Sequence, residues 1–263
     1  MQFENVIVER RGAVVTITLN RPKSFNAMNM GLLNDLLAAL AAGAEDETVR
    51  AVLLTGAGKA FCAGGDLVAF KEDIDTNPVA PVRELVTVMN RVTLAIRAMP
   101  KPVVAAINGA VGGAGMSLAA ACDLRLCAAS AKFRQAYTGV ALVPDGGWTL
   151  LVPLLIGYGR AAELVFKNEP FDAQRALAWG LVNEVVEDAQ LPAAAATLCE
   201  ALAQGPTRSF AIIKASFNAG MMALLEKQLE LERAGIIAAA RTTDYQDGLR
   251  AFFAKRPPVF IGK

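Results

Sequence analysis

Short apolar runs alternate with helically spaced apolar positions in the first part of the chain. Four runs are rich in β-branched or apolar residues and end at turn residues, which is typical of buried strands: residues 14–20, 51–58, 103–109 and 124–128. Between them, leucines repeat at helical spacing over residues 32–40, and a second periodic stretch covers residues 83–99 before Pro100 and Pro102. This alternation predicts a layered α/β core.

The second part of the chain has helical patterns almost throughout. One predicted helix closes on Gly180, and others cover residues 191–203, 207–217, 224–240 and 244–253. No low-complexity linker separates the two parts, although residues 73–81 have the composition of a mobile excursion. We therefore expect an α/β core over residues 1–195 that continues into a helical C-terminal region over residues 196–263.

Composition narrows the class of protein. Hydrophobic residues make up 54% of the 263 residues against 19% charged residues, which favours a homo-oligomer with apolar surface to bury. The formal net charge of +1 gives no general attraction to nucleic acid. The four cysteines lack paired metal-ligand spacing, and we see neither a signal-like apolar run nor a stretch of ~20 apolar residues. We expect a cytoplasmic protein with reduced thiols and no membrane span.

The absence of histidine excludes several kinds of active site. Serine–histidine triads, cysteine–histidine dyads, histidine general bases and most zinc sites need an imidazole. Any catalysis must therefore use carboxylates, tyrosine, lysine or backbone groups, and we expect no metal site.

Two glycine-rich passages follow predicted strands. KAFCAGGDL (residues 59–67) places Ala63, Gly64 and Gly65 at a strand-to-helix passage, where backbone can approach a ligand closely. In residues 107–123 a glycine cluster precedes a small-residue helix, whose N-terminal amides, that of Ala114 among them, would stabilise a developing oxyanion. Taken alone, the first passage is better explained as an ordinary glycine turn and the second as close helix–sheet packing. The second matches neither a dinucleotide fingerprint nor a P-loop.

Asp145 is an isolated acid within an apolar stretch, residues 140–157. A poorly solvated carboxyl there would have a raised pKa and would exchange protons near neutral pH. Tyr137 is eight residues earlier and is a candidate for lining the same space. The alternatives are a plain Pro-Asp-Gly-Gly turn for Asp145 and a core position for Tyr137.

Taken together, and in this order, these stretches resemble the crotonase superfamily, the enoyl-CoA hydratase and isomerase family. RPKSFNAMN (residues 21–29) is similar to a stretch that precedes the family's CoA-site residues, and the two glycine passages resemble its two oxyanion-hole motifs. The resemblance implies a spiral of ββα units with a helical C-terminal trimerisation region, and a homotrimer or dimer of trimers. It implies an acyl-CoA thioester substrate, with coenzyme A as part of the substrate and no tightly bound cofactor.

The resemblance also implies roles for individual residues. The thioester oxygen would lie between the amides of Gly65 and Ala114. Substrate contacts are expected from Ala63, Asp66, Leu67, Ser117, Tyr137, Val140 and Trp148. Contacts with the CoA moiety are expected from Lys23, Ala27, Lys59, Phe252 and Lys255, the last two reaching in from a neighbouring subunit.

Departures from the family pattern bear on the reaction. Hydratases of this family use two glutamates around one water, and the corresponding positions here are Ser117 and Tyr137. Asp145 matches the single aspartate of double-bond isomerases of the phenylacetate-pathway type. We therefore expect an enoyl-CoA isomerase with Asp145 as proton shuttle.

Other readings of the same residues stay open. One is a hydratase that uses Asp145 and Tyr137, or a ring-cleaving relative; dehalogenating relatives pair their aspartate with a histidine, which this chain lacks. Another is a non-catalytic scaffold that binds acyl-CoA or RNA, although the near-neutral charge disfavours RNA.

Overall fold

The computed structural model describes residues 3–263, and within them ten strands form two sheets. The strands are β1 (Val6–Arg11), β2 (Val14–Leu19), β3 (Ala51–Gly56), β4 (Ala60–Cys62), β5 (Val103–Ile107), β6 (Ala110–Gly112), β7 (Leu124–Ala128), β8 (Lys132–Arg134), β9 (Phe171–Asp172) and β10 (Glu184–Val186).

Eleven α-helices connect and cover the strands in the described part of the chain. They are α1 (Met30–Glu45), α2 (Leu67–Lys71), α3 (Val79–Ala98), α4 (Ala114–Ala121), α5 (Trp148–Ile156), α6 (Tyr158–Lys167), α7 (Ala173–Trp179), α8 (Leu191–Gln204), α9 (Thr207–Ala219), α10 (Met222–Ala239) and α11 (Thr243–Ala254). Short 3₁₀ turns occur at Pro22–Ser24, Tyr137–Val140 and Asp188–Gln190. No helix within residues 3–263 is both long and apolar enough to cross a bilayer.

Successive strand pairs divide between the two sheets. The larger sheet has the order β1-β2-β3-β5-β7-β10 and is parallel except for the β1–β2 hairpin, and the smaller has the order β4-β6-β8-β9. In the pairs β3–β4, β5–β6 and β7–β8, the first strand joins the larger sheet and the second joins the smaller one, and helices follow. The predicted spiral of ββα units is confirmed.

The central strands β3 and β5 of the larger sheet are buried on both faces, which explains why they are continuous apolar runs. Val52 and Leu54 of β3 face the main core, whereas Ala51 and Leu53 face the opposite side, where α8 covers the sheet with Leu191, Ala195, Cys199 and Ala203. This alternation follows the two-residue period of a strand. Residue 195 lies within α8, and the division of the chain there stays a proposal.

Most predicted elements are present. The four predicted strands correspond to β2, β3, β5 and β7, and α7 ends at Gly180, which has a left-handed φ of 82°. However, α3 begins at Val79, four residues before the predicted start, because Pro78 and Pro81 lie in or next to its first turn, where no amide donor is required. The preceding segment is anchored by Ile74, which is buried.

Several short or exposed strands were not predicted. In β1 only Val6 is buried, so its sequence carries no apolar alternation. β9 and β10 have two and three residues and interrupt the part of the chain that the sequence predicts as helical. Such short edge strands are defined by their neighbours in the sheet and not by local periodicity.

Candidate active site

Residues 21–28 form a supporting segment that is hydrogen-bonded to the first glycine passage. Asn26 adopts a left-handed φ of 55°, and its buried side-chain amide donates to the carbonyls of Ala57 and Ala60 at 2.9 and 2.8 Å. The backbone of this segment then bonds the passage itself, with Ala63 N donating to Phe25 O and Met28 N to Gly64 O. The RPKSFNAMN motif thus fixes the position of residues 63–66.

The two glycine passages meet because β4 and β6 are parallel neighbours in the smaller sheet. Gly64 has a φ of +100°, and a Cβ built there would lie 2.8 Å from the Gly112 carbonyl oxygen and 3.3 Å from the Ala114 nitrogen. Only glycine permits both this conformation and this approach. The carboxyl ends of the two strands therefore lie backbone against backbone.

The amides of Gly65 and Ala114 border one cavity of about 570 Å³. Neither amide donates a hydrogen bond to any residue between Phe3 and Lys263. Ala114 is the first residue of α4, so its N–H belongs to the unpaired first turn of a helix, where the partial positive charge is highest. Two free donors from distant parts of the chain can thus converge on an oxygen in the cavity, as an oxyanion hole requires.

Asp145 projects into the same cavity from a turn of unusual backbone. Gly146 and Gly147 have φ values of +66° and +89°, and Trp148 N donates to the Asp145 carbonyl across the turn. The Ser117 hydroxyl donates to that carbonyl at 2.7 Å, and the Tyr137 phenol donates to the Asp145 Oδ1 at 2.6 Å. The carboxylate is therefore held in one orientation, with Oδ1 occupied by the phenol.

Burial has the largest effect on the pKa of the Asp145 carboxyl. Asp145 is 6% exposed, and its desolvation raises the pKa of the carboxyl to about 7, with the Tyr137 hydrogen bond lowering it and the charge of Glu232 raising it further. Burial and the neighbouring carboxylate raise the pKa of Tyr137 well above its usual value. Tyr137 thus stays a neutral donor, while Asp145 exchanges its proton near neutral pH.

The cavity wall is mostly apolar and includes a few charged residues. Its interior walls come from several elements and are made of Met28, Phe70, Val82, Leu85, Met89, Leu142 and Ile236. Lys23, Asp66 and Arg134 lie among the lining residues together with the exposed Phe25 and Val68. Asp66 caps α2 and pairs with Arg21 at 2.9 Å. Such a site suits an apolar acyl group with an anionic extension.

Contact of Phe252 with the CoA moiety of a neighbouring subunit stays a prediction, but within its own chain Phe252 lines the cavity. The reason is the packing of α11 against α2 and against the 3₁₀ turn at Tyr137–Val140. Gly248 of α11 permits this contact, since a Cβ there would lie 2.9 Å from the Val140 backbone. The site is therefore closed by the C-terminal helix of the same chain.

The structure brings together most of the residues singled out in the sequence. Ten of them line the cavity: Lys23, Ala63, Gly65, Asp66, Leu67, Ala114, Tyr137, Val140, Asp145 and Phe252. Five do not. Ser117 and Trp148 are buried behind the Asp145 turn, and Ala27 is buried in the supporting segment, residues 21–28. Lys59 and Lys255 are exposed and do not line the cavity. Contact of the two lysines with the CoA moiety stays a prediction.

Other residues of the site were missed. Leu85 and Met89 of α3 have the helical spacing of core residues, which does not distinguish a cavity wall from a filled core. Glu232 is buried at 4% exposure within α10, whose neighbouring acids are exposed. Residues 3–263 bring together no cluster of three acidic or thiol groups that would hold a metal ion.

Comparison with known proteins assigns the family. The model of the enoyl-CoA hydratase/isomerase family matches residues 9–263. The chain is 39% identical to 1,2-epoxyphenylacetyl-CoA isomerase of Escherichia coli and 33% identical to crotonyl-CoA hydratase of Syntrophomonas wolfei, with 100% of both chains covered in each case. A crystal structure of an enoyl-CoA hydratase from Mycobacterium avium subsp. paratuberculosis superposes with a TM-score of 0.89 at 32% identity, covering 99% of this chain and 100% of that one.

The chain belongs to the enoyl-CoA hydratase/isomerase family, and hence to the crotonase superfamily. Relatives of similar identity include isomerases and hydratases. The family alone therefore does not decide between the two reactions.

Proposed function

We propose that this protein is an enoyl-CoA isomerase that moves a double bond along the acyl chain of a CoA thioester. The observation that carries the proposal is the buried Asp145 carboxyl, facing a cavity that also holds two unpaired amides, whereas the other carboxyl in the cavity wall, Asp66, caps α2 and pairs with Arg21. Adding water requires a group that activates the water as well as one that handles the substrate proton. Moving a double bond needs only one base that takes a proton and returns it.

The reaction follows from these groups. The Asp145 carboxylate removes a proton from one carbon of the acyl chain, the C–H electron pair moves into the conjugated system, and negative charge collects on the thioester oxygen. The Gly65 and Ala114 amides stabilise that oxygen, each by roughly 3–4 kcal/mol in the transition state. Asp145 then returns the proton at another carbon as the enolate collapses. No atom is gained or lost.

The residues at the hydratase glutamate positions support this assignment. Ser117 and Tyr137 both bond Asp145, one at its backbone carbonyl and one at its carboxylate. Neither is a base near neutral pH, since a serine hydroxyl has no useful basicity and the pKa of Tyr137 is raised well above 10. Both serve to hold the single acid in place.

Product analysis tests the proposal. Purified protein is given straight-chain, aromatic and alicyclic 2-enoyl and 3-enoyl thioesters, together with 1,2-epoxyphenylacetyl-CoA, and products are scored as isomerised or hydrated. We expect isomerised product, lost by about 10²- to 10⁴-fold in Asp145→Asn with thioester binding retained. Hydrated product would instead favour an atypical hydratase. Binding of CoA thioesters without turnover of any would favour a non-catalytic scaffold.

Several further properties belong to the same proposal. We propose a homotrimer or a dimer of trimers acting in the cytoplasm, without a tightly bound cofactor, on coenzyme A thioesters. Large apolar side chains support self-association: Tyr158 and Phe166 of α6 are 81% and 84% exposed, and Ile212 and Phe217 of α9 are 68% and 72% exposed. Mass measurement by light scattering tests the oligomer; a monomeric mass would contradict it.

A further inference from the structure

A second buried carboxylate lies next to the Asp145 turn but outside the cavity. Glu232 of α10 is 4% exposed, and its Oε2 accepts a hydrogen bond from the Gly147 amide at 2.7 Å. Its Oε1 accepts from the Thr149 amide at 2.7 Å and from the Thr149 hydroxyl at 2.5 Å. Gln228, one turn earlier on α10, donates to that hydroxyl at 2.7 Å. Glu232 does not line the cavity, so it has no direct contact with a substrate there.

These bonds fix the segment that carries Asp145. Helix α5 begins at Trp148 without a side-chain cap of its own, and Glu232 accepts from amides at its N-terminus, where a negative charge is most stabilising. Gly146 and Gly147 lie between Asp145 and the helix, and glycines allow many backbone conformations. Thr93 holds the Gly146 carbonyl at 2.9 Å and Glu232 holds the Gly147 amide, so both glycines are restrained.

Few charged groups other than Glu232 act on Asp145. Helices α4 and α5, which pack around the turn, contain no ionisable residue. Of the charged residues on α3, Arg83, Glu84 and Arg91 are exposed, and Arg97 pairs with Asp123. The titratable groups that face Asp145 are Tyr137, which donates to it, and Glu232. Burial raises the pKa of Glu232, and the three hydrogen bonds that it accepts oppose this rise by stabilising its negative charge behind the turn.

We propose that Glu232 is a positioning residue for the isomerisation: it holds the Asp145 turn in place from outside the cavity and places a second acidic group behind the base. The inference rests on the proposed role of Asp145. The like charge raises the proton affinity of Asp145, whereas Tyr137 lowers it. Two buried neighbours thus act on one carboxyl in opposite directions.

The test is Glu232→Gln, which removes the charge at nearly unchanged volume. Side-chain carboxyl signals of ¹³C-labelled aspartate are followed by NMR against pH, and the Asp145 signal is assigned by its loss in Asp145→Asn. We expect the Asp145 carboxyl of Glu232→Gln to titrate at lower pH than in the parent. The acid limb of kcat should follow it, and kcat at high pH should fall about tenfold with KM little changed.

Gln228→Leu is the matched control. It removes the outer hydrogen bond to Thr149 but keeps the Glu232 charge and its bonds to both amides. It should lower the melting temperature without moving the Asp145 titration. The proposal would be overturned if Glu232→Gln had the same Asp145 titration and the same kcat as the parent. It would also be overturned if Gln228→Leu displaced the Asp145 titration as far as Glu232→Gln does.

If Glu232→Gln does not fold, Glu232→Asp separates the effect of the negative charge from the effect of the side-chain length. It keeps the negative charge but shortens the side chain by one methylene, so kcat should fall while the Asp145 titration stays near that of the parent. A parental kcat in this variant would overturn the positioning role. If Asp145→Asn keeps full isomerase activity, it is the proposed function that fails, because the NMR titration reports the effect of Glu232 independently of turnover.

Discussion

Removal of the Tyr137 phenol should move the pH dependence of the reaction without destroying the site. Tyr137→Phe keeps the ring and deletes the O–H that donates to Asp145 Oδ1 at 2.6 Å. A hydrogen bond to a charged acceptor stabilises it by about 1.5–3 kcal/mol, and about 1.4 kcal/mol corresponds to one pKa unit. The pKa of Asp145 should therefore rise from about 7 to about 8–9.

The sign of the kinetic effect follows from the role of Asp145 as a base. The active form is the carboxylate, so kcat/KM falls as the pH drops through the pKa, and a higher pKa moves this acid limb to higher pH. At pH 7, kcat/KM should fall about 5- to 50-fold, and it should recover as the pH rises above the new pKa. The measurement is isomerisation of a 3-enoyl thioester across roughly pH 5.5–9.5.

Tyr158→Phe provides the control for this prediction. It is the same substitution at a tyrosine that is 81% exposed on α6, and it should leave the profile unchanged. General damage to the fold would lower the rate equally at every pH. An acid limb of Tyr137→Phe that coincides with that of the parent would refute the argument.

Two further predictions concern the oxyanion hole and the cost of burying Asp145. Gly65→Pro deletes the amide donor and should lower kcat about 10²- to 10³-fold, whereas Gly65→Ala keeps the donor and brings its Cβ to 3.4 Å from the Leu85 side chain and 3.7 Å from the Phe70 ring. Equal rates in the two variants would exclude this donor. The pKa of Asp145 is raised from 3.8 to about 7, so ionisation of the folded protein costs stability, and the loss grows as pH rises across that interval. Asp145→Asn should therefore be more stable than the parent at pH 8, by up to about 4 kcal/mol, but not at pH 4, as measured by urea unfolding. A difference that is the same at both pH values would contradict this.

The sequence predicts those features that depend on local pattern or on motifs. Strands buried on both faces are visible as apolar runs, and the glycine passages are visible because a backbone approach of 2.8 Å to Gly112 O excludes every other residue at position 64. Asp145 stands out because its neighbours in the sequence are apolar.

Features that depend on the packing of distant elements were not predictable. Glu232 lies in a stretch with Glu226, Glu230 and Arg233, which by composition is a solvated helix face. Glu232 is buried, unlike these neighbours, because α10 contacts the start of α5 at this point. Likewise, no local signal tells that α11 packs over the cavity of its own chain.

The walls of the cavity extend along nearly the whole chain, from Lys23 to Phe252. During synthesis on a ribosome, the oxyanion-hole strands and the Asp145 turn emerge long before Ile236 and Phe252, which complete the enclosure. A nascent chain therefore has no enclosed site until α10 and α11 have docked onto the sheets. Ability to bind substrate should be acquired together with final folding, and a thioester ligand should protect only the full-length product against proteolysis.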